Sequence, residues 1–262
     1  MVLFDYSREP RSDIAFVDMK SFYASCECIS LGLDPLKTSL CVMSRIENSA
    51  GLILAATPLF KKNFGSQNVS RSYNLPFDVH TRKFNYAAAR KQGLPITADY
   101  VRFIEDAAQK TLLVPPRMNY YIQKNMEIQK IFQDFAAPDD IFPYSIDEGF
   151  LDLTSSINYF IPDQTLDRRT KLDLLAARIQ QAIWKKTGIY ASIGLSNANP
   201  LLAKLALDIE AKHTKKMRVN WSYEDVPSKV WTIPNMTDFW GIGHRTATRL
   251  EKLGIHSIYD LA

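Results

Sequence analysis

The sequence predicts an α+β fold, a small sheet covered by helices on one face. Three observations carry this prediction. "IAFVD" (14–18) and "IYASIGLS" (189–196) are apolar runs of strand length, the second with Ile189, Ala191, Ile193 and Leu195 alternating onto one face. "IFPYSIDEGFLDLT" (141–154) has two β-like runs around a central "DEG", the form of a hairpin. Residues 166–187 place Leu172, Leu175, Ile179 and Ile183 at helical spacing, an amphipathic helix that Gly188 stops. From residue 111 onward the order is strand, helix, hairpin, helix, strand, helix; with the "IAFVD" strand it suits one helix-covered sheet.

The elements follow in order. After "IAFVD", residues 21–29 read as a helix that "LGLDP" (31–35) ends through Gly32 and Pro35. "TSLCVMS" (38–44) and "GLILAAT" (51–57) are strands separated by the polar turn "RIENSA" (45–50). Residues 58–110, broken by Gly65, Pro76, Gly93 and Pro95, read as short helices and loops. "TLLVPPR" (111–117) is a strand closed by two prolines, and a helix over 119–135 follows it. In "NANPLLAKLALDIEAK" (197–212), Asn199 is an N-cap and Pro200 takes the first helical position. "AKHTKKMRVNWSYED" (211–225) is polar and basic, a boundary; the block from 237 to 262 is helical around a glycine-rich turn.

At 262 residues, 46% hydrophobic and 23% charged, the composition is that of a globular protein with room for two or three compact units. A net charge of +4 allows an anionic partner without demanding one. Cys26, Cys28 and Cys41 are odd in number and lack metal-ligand spacing, which argues for reduced packing residues rather than a disulfide framework or structural zinc. No signal peptide and no membrane span is expected, and the location expected is cytoplasmic.

Three carboxylates stand apart from this background. Asp18 ends an apolar strand, and Asp147 and Glu148 are adjacent in an otherwise apolar hairpin, where their repulsion must be offset. A hard divalent cation offsets it well, so the order "FVD … SIDE" points to metal-assisted phosphoryl chemistry. The competing explanations are a helix cap at Asp18 and a polar hairpin turn at 147–148. For phosphate binding the candidates are the backbone N–H groups after Asp18, then Lys204, set off from the apolar face of Leu202, Leu205 and Ile209, and Lys62. Either lysine could equally be a solvated side chain. "WGIGHRTATRLEKLGI" (240–255) has Gly241 and Gly243 flanking Ile242, then a helix, then Leu253-Gly254-Ile255. That is the form of a helix-hairpin-helix, whose turn offers N–H groups to a DNA phosphate without reading bases.

With these pieces in order, the chain resembles the Y-family (translesion) DNA polymerases, of the UmuC-like, ImpB/MucB/SamB type. "FVDMKSFYASCE" is similar to that family's first motif and "SIDEGFLDLT" to its third. "IGLSNANPLLAKLA" resembles the segment bearing its phosphate-binding lysine, and "WGIGHRTATRLEKLGI" its thumb hairpin. The resemblance implies a right-hand polymerase core with a ferredoxin-like palm over 1–21 and 111–208, fingers over 22–110 and a thumb over 209–262, its hairpin near 235–255. It implies that Asp18, Asp147 and Glu148 are catalytic and, with the backbone carbonyl of Met19, hold two Mg²⁺ ions that Mn²⁺ could replace. Tyr23, five residues past Asp18, falls where the family has its steric gate against a ribose 2′-hydroxyl. Phe22, Tyr23, Lys62 and Lys204 would bind the incoming nucleotide, and Gly241, Ile242 and Gly243 the DNA.

The partners implied are primer-template DNA, deoxynucleoside triphosphates and, through a more C-terminal region, a sliding clamp or recombinase. Residence with the bacterial nucleoid and a part in the response to DNA damage are further family expectations. "AATPLFKKNFG" (55–65) matches the family's fingers segment loosely: Lys62 stands in for its basic residue and Leu59 where a Tyr is common. The family's further DNA-gripping domain, the little finger, is not among these 262 residues. Two alternatives stand beside polymerase: a palm-type nucleotide cyclase, and a non-catalytic DNA-binding protein of polymerase shape.

Overall fold

The computed structural model describes residues 5–45, 50–65 and 70–262. The polar turn expected at 45–50 falls largely outside them. In chain order the principal elements are β1 (Ile14–Met19), α1 (Phe22–Ser30), β2 (Leu40–Met43), β3 (Ile53–Ala56), α2 (Pro58–Phe64), α3 (Tyr86–Gln92), α4 (Ala98–Gln109), β4 (Leu112–Val114) and α5 (Met118–Phe132). There follow β5 (Ile141–Pro143), β6 (Glu148–Asp152), α6 (Ile157–Phe160), α7 (Arg168–Thr187), β7 (Ala191–Ser196), α8 (Pro200–Ile209), β8 (Arg218–Asn220), α9 (His244–Glu251) and α10 (Ile258–Leu261). They fall into two compact units: the chain up to Met19 with Ile128–Lys186 and Tyr190–Ala262, and Lys20–Glu127 with Thr187–Ile189.

The first unit is built on a five-stranded sheet of order β5-β6-β1-β7-β8. β1 is its centre, antiparallel to both β6 and β7. Alternation along β1 sends Ile14 and Phe16 to the face covered by α8, where they pack with Ala203, Leu207 and Ala211. Asp18 has the same parity and shares that face. Asn199 caps α8 as its sequence predicts, its side chain accepting from the Leu202 N–H at 2.9 Å with Pro200 in the first turn. α8 lies unusually close to the sheet because β7 carries a glycine beneath it. A Cβ at Gly194 would stand 2.0 Å from the Ala203 carbonyl oxygen and 2.4 Å from the Leu207 nitrogen.

The second unit holds a three-stranded sheet, β3-β2-β4, with β2 antiparallel to β3 and parallel to β4. Here too β2 alternates: Leu40 and Val42 pack against Ala24 and Cys28 of α1, while Cys41 and Met43 enter a cluster with Phe60, Phe64, Phe77 and Ile104. All three cysteines are buried and unbonded. The stretch from 58 to 110 is short helices and loops, as expected.

The membership of the first sheet differs from the sequence expectation. The strand expected at 111–117 pairs with β2 and not with the sheet of Asp18. Its place among the five strands is taken by β8, parallel to β7, inside the stretch expected to be a boundary. β8 is three residues long and polar (Arg-Val-Asn), so periodicity cannot reveal it; the β7 backbone beside it supplies the pairing. Among the described residues no helix is long and apolar enough to cross a membrane.

Gly194→Ala should cost roughly 1–3 kcal/mol, because backbone, not a movable side-chain tip, meets the new methyl. Thermal unfolding should show a melting temperature lower by roughly 3–10 °C. An unchanged value would mean that α8 is free to lift from the sheet.

Candidate active site

The hairpin places two acids opposite each other. Asp18 of β1 pairs in register with Glu148 of β6, and on its other side with Ser192 of β7. Directly opposed residues of antiparallel strands project to the same face, so Asp18, Glu148 and Ser192 line one patch under the end of α8. Asp147 precedes them in the turn, where its backbone carbonyl accepts from the Met19 N–H at 3.0 Å. Ser145 organises this turn: its Oγ donates to Asp147 Oδ1 at 3.0 Å and accepts from the Glu148 N–H at 3.1 Å.

Two lysines come down onto the acids from α8 and the turn after it. Lys204, 5% exposed, donates to Glu148 Oε1 at 2.8 Å, and its ammonium lies 5.0 Å from the Phe16 ring centroid. Lys212 Nζ stands 3.0 Å from Asp18 Oδ2, 3.6 Å from Glu148 Oε1 and 2.9 Å from Asp208 Oδ1. Asp208 Oδ1 also accepts from Lys204 at 3.3 Å. Lys204 is therefore a buried, paired cation, not a solvated one. Asp208 and Lys212 escaped the sequence reading, although a signal for them exists: 204, 208 and 212 are spaced by four, the i, i+4 rhythm of one helix face.

The charges titrate accordingly. Burial pushes the Asp18 carboxyl up to about 7, against the Lys212 ammonium and with the help of neighbouring Glu148. For Glu148 burial acts upward too, but the hydrogen bond from the Asp18 carboxyl and the Lys204 ammonium outweigh it and hold the group below the ordinary range. The opposed pair thus shares one proton, held on Asp18. Asp147 is raised, mainly by burial. Burial works against the Lys212 ammonium, yet Asp18 and Asp208 hold its titration well above the ordinary value.

The donor set suits a hard divalent cation: carboxylate oxygens of Asp18, Asp147 and Glu148, next to the backbone of Met19. Four carboxyl groups, Asp208 included, meet two ammonium groups, which leaves negative charge in surplus. The Ser192 hydroxyl beside Asp18 is buried without a hydrogen-bond partner, a polar gap at the same patch. Among the described residues no three acidic, His or Cys side chains stand close enough to hold a metal ion as they are; Lys212 bridges Asp18 and Glu148 instead.

The remaining candidates lie elsewhere. In the second unit, Phe22 is buried and Tyr23 half-buried in the first turn of α1, whose N-cap Ser21 is left-handed (φ 50°) and makes no side-chain cap. Lys62 is exposed near the end of α2. In the first unit, Gly241 takes φ 91°, which favours glycine, and Gly243 starts α9 with no side-chain cap. Ile242 packs into a cluster with Leu202, Trp221, Ile233 and Ala247, so it anchors the turn. Exposed His244, Arg245, Arg249 and Lys252 line one groove along α9, from its uncapped start to its end.

With this geometry the chain can be compared with known proteins. It superposes on the Dbh DNA polymerase of an insertion ternary complex with a TM-score of 0.65 at 23% identity, covering 95% of this chain and 60% of that one. On DinB from Sulfolobus solfataricus the TM-score is 0.60 at 22% identity, covering 95% and 59%. The fold is that of Y-family polymerase cores. The model of the impB/mucB/samB family matches residues 78–208, and that of the IMS family HHH motif matches 223–255. The chain is 34% identical over 260 residues to the putative UV-damage repair protein UvrX of Bacillus subtilis, covering 99% of this chain and 52% of UvrX. It is 32% identical over 143 residues to the DNA repair protein homolog YozK of the same organism, covering 55% of this chain and 98% of YozK. DNA polymerase IV 2 of B. subtilis is 30% identical over 251 residues, with 95% of this chain and 50% of that protein covered. This chain belongs to the impB/mucB/samB family, and it spans about half the length of UvrX and of DNA polymerase IV 2.

The shared proton gives a pH signature. Asp18 is raised to about 7, so its neutral form favours the folded state, and that contribution declines as pH rises toward and through about 7. Metal-free protein should lose melting temperature relative to Asp18→Asn between about pH 6 and about pH 8; parallel curves would refute the shared proton. Were Asp18 also to hold a divalent ion, Mn²⁺ would raise the melting temperature more at the higher pH, because ion and proton would compete for one carboxylate.

Proposed function

We propose that this chain is the catalytic core of a translesion DNA polymerase, which adds deoxynucleotides to a primer 3′ end on a DNA template. What carries the reading is the opposed pair Asp18–Glu148 beside Asp147, set under buried Lys204 and half-buried Lys212. Family membership and the Y-family core fold support it. The sheet, β8 included, with α7 and α8 would serve as palm, the second unit as fingers, and the segment after β8 as thumb.

Asp18, Asp147, Glu148 and the Met19 carbonyl would hold the divalent ions. Bound there, Mg²⁺ would stabilise charge on the attacking and leaving oxygens of phosphoryl transfer. The chain's own groups account for the rest. An ionised carboxylate of the cluster would accept the proton that the primer hydroxyl gives up. Lys204 and Lys212 are ammonium groups held beside the acids, where they would neutralise phosphate oxygens. Tyr23 would stand against the sugar, with the amides of Phe22 and Tyr23 and the side chain of Lys62 toward the triphosphate. Gly241, Ile242 and Gly243 would present backbone N–H groups to the duplex, and the basic face of α9 would add salt-dependent grip.

Primer extension tests this directly. Asp147→Ala should lower single-nucleotide incorporation on the order of 10³-fold or more while leaving the melting temperature near that of the wild type, since one acid fewer relieves repulsion. EDTA should abolish extension by the unaltered chain. Wild-type rates from Asp147→Ala would sink the assignment, and DNA binding without any extension would move it to a non-catalytic role.

A further inference from the structure

Tyr23 rests on a built support inside the second unit. Its ring stacks on that of Tyr121, centroids 4.4 Å apart and planes 11° from parallel. Tyr121 is fully buried on α5, and its hydroxyl donates to Glu27 Oε1 at 2.7 Å. Glu27, only 4% exposed, is held from the other side by Arg117, through Nε at 3.0 and 3.1 Å and Nη2 at 2.6 Å. The same Nη2 donates to Ser30 Oγ at 2.6 Å, and the guanidinium lies 4.6 Å from the Tyr120 ring centroid.

The spacing makes this a two-rung ladder. Tyr23 and Glu27 are four apart on α1, and Arg117 and Tyr121 four apart at the start of α5. Residues four apart share a helix face, so one rung is the ring stack and the other the ion pair. A buried carboxylate is a poor way to gain stability, since an apolar group of like size often does as well. What a fully satisfied buried pair does supply is orientation. With Glu27 saturated by Arg117, the Tyr121 hydroxyl has one fixed acceptor, its ring has one plane, and Tyr23 lies flat on that plane.

We propose that Tyr121, fixed by Glu27 and Arg117, is a positioning residue that sets the ring plane of Tyr23 and thereby the discrimination between deoxyribose and ribose. The proposal rests on Tyr23 being the sugar-facing residue of the function proposed above. A tilted Tyr23 ring would open room at the 2′ position without any change in the reacting groups.

The test is the ratio of kcat/KM for a ribonucleotide to that for the matching deoxynucleotide, measured on wild type, Tyr23→Ala, Tyr121→Leu, Tyr121→Phe and Glu27→Gln. Tyr23→Ala should raise the ratio on the order of 100-fold. Tyr121→Leu should raise it by about 10-fold, with the gain in the ribonucleotide arm. Tyr121→Phe keeps the ring but loses its link to Glu27 and should raise the ratio by less than Tyr121→Leu; Glu27→Gln, which keeps an acceptor oxygen, should raise it least. A merely structural role would slow both nucleotides alike and leave the ratio flat, and that result overturns the proposal. If Tyr23→Ala also leaves the ratio flat, the assignment of Tyr23 fails and takes this proposal with it. If Tyr23→Ala moves the ratio and both Tyr121 variants do not, the support alone is refuted.

Discussion

The register of β1 between β6 and β7 is the constraint from which the acid cluster follows. A slip of one residue would turn Asp18 to the opposite face of the sheet and put Val17 in its place. The lock lies at the far end of the strand, at buried Asp13. Its N–H donates to Thr154 Oγ1 at 2.8 Å and its carbonyl accepts from the Leu153 N–H at 2.7 Å, fixing β6. Its carboxylate accepts from Asn197 Nδ2 at 2.6 Å, which fixes the end of β7, and from the Arg168 guanidinium. One buried aspartate therefore sets the alignment that brings another, five residues on, opposite Glu148.

That alignment is costly by itself. Like charges directly opposed on antiparallel strands destabilise a sheet, and burial sharpens the repulsion. Three features offset it together: a proton retained on Asp18, Lys204 against Glu148, and Lys212 between Asp18 and Asp208. Each also makes the patch responsive. In the proposed function a metal ion would displace that proton, and an ammonium would turn toward an arriving phosphate while the ion takes over its carboxylates. A patch of apolar residues would fold more readily but would have no such exchange available.

How much of this was legible in the sequence depended on the kind of signal. Strands with clear alternation, the hairpin around 147–148, the capped α8 and the glycine turn at 241–243 announce themselves locally, and the structure has them where their residues predict. The acids Asp18, Asp147 and Glu148 were visible because charge at the end of an apolar run is anomalous. β8 and the partner of β4 were not legible, since short strands acquire their pairing from neighbours distant in sequence. Lys212 was hidden for a different reason. It sits among Lys215, Lys216 and His213 in a basic stretch, where only its spacing of four from Asp208 separates the lysine that turns inward from those that face water. Glu27 was hidden likewise, as an ordinary helical glutamate whose partners lie some ninety residues on.

α8 shows how one helix can tie these parts together. Ala203 and Leu207 face the sheet and, with Gly194 beneath, bring the backbone close to β7. Leu202, Leu205 and Ala206 face a different cluster, which includes Trp221, Ile233, Ala247 and Ile258 and receives Ile242 of the glycine turn. Lys204 and Asp208 occupy the third face, against the acids. The helix-hairpin-helix segment and the carboxylates thus both pack against one helix. A duplex gripped by the glycine turn would be held at a fixed height over Asp18 and Glu148. In the proposed function, contacts to phosphate alone would position the reacting strand, and a damaged base would be no obstacle to the grip.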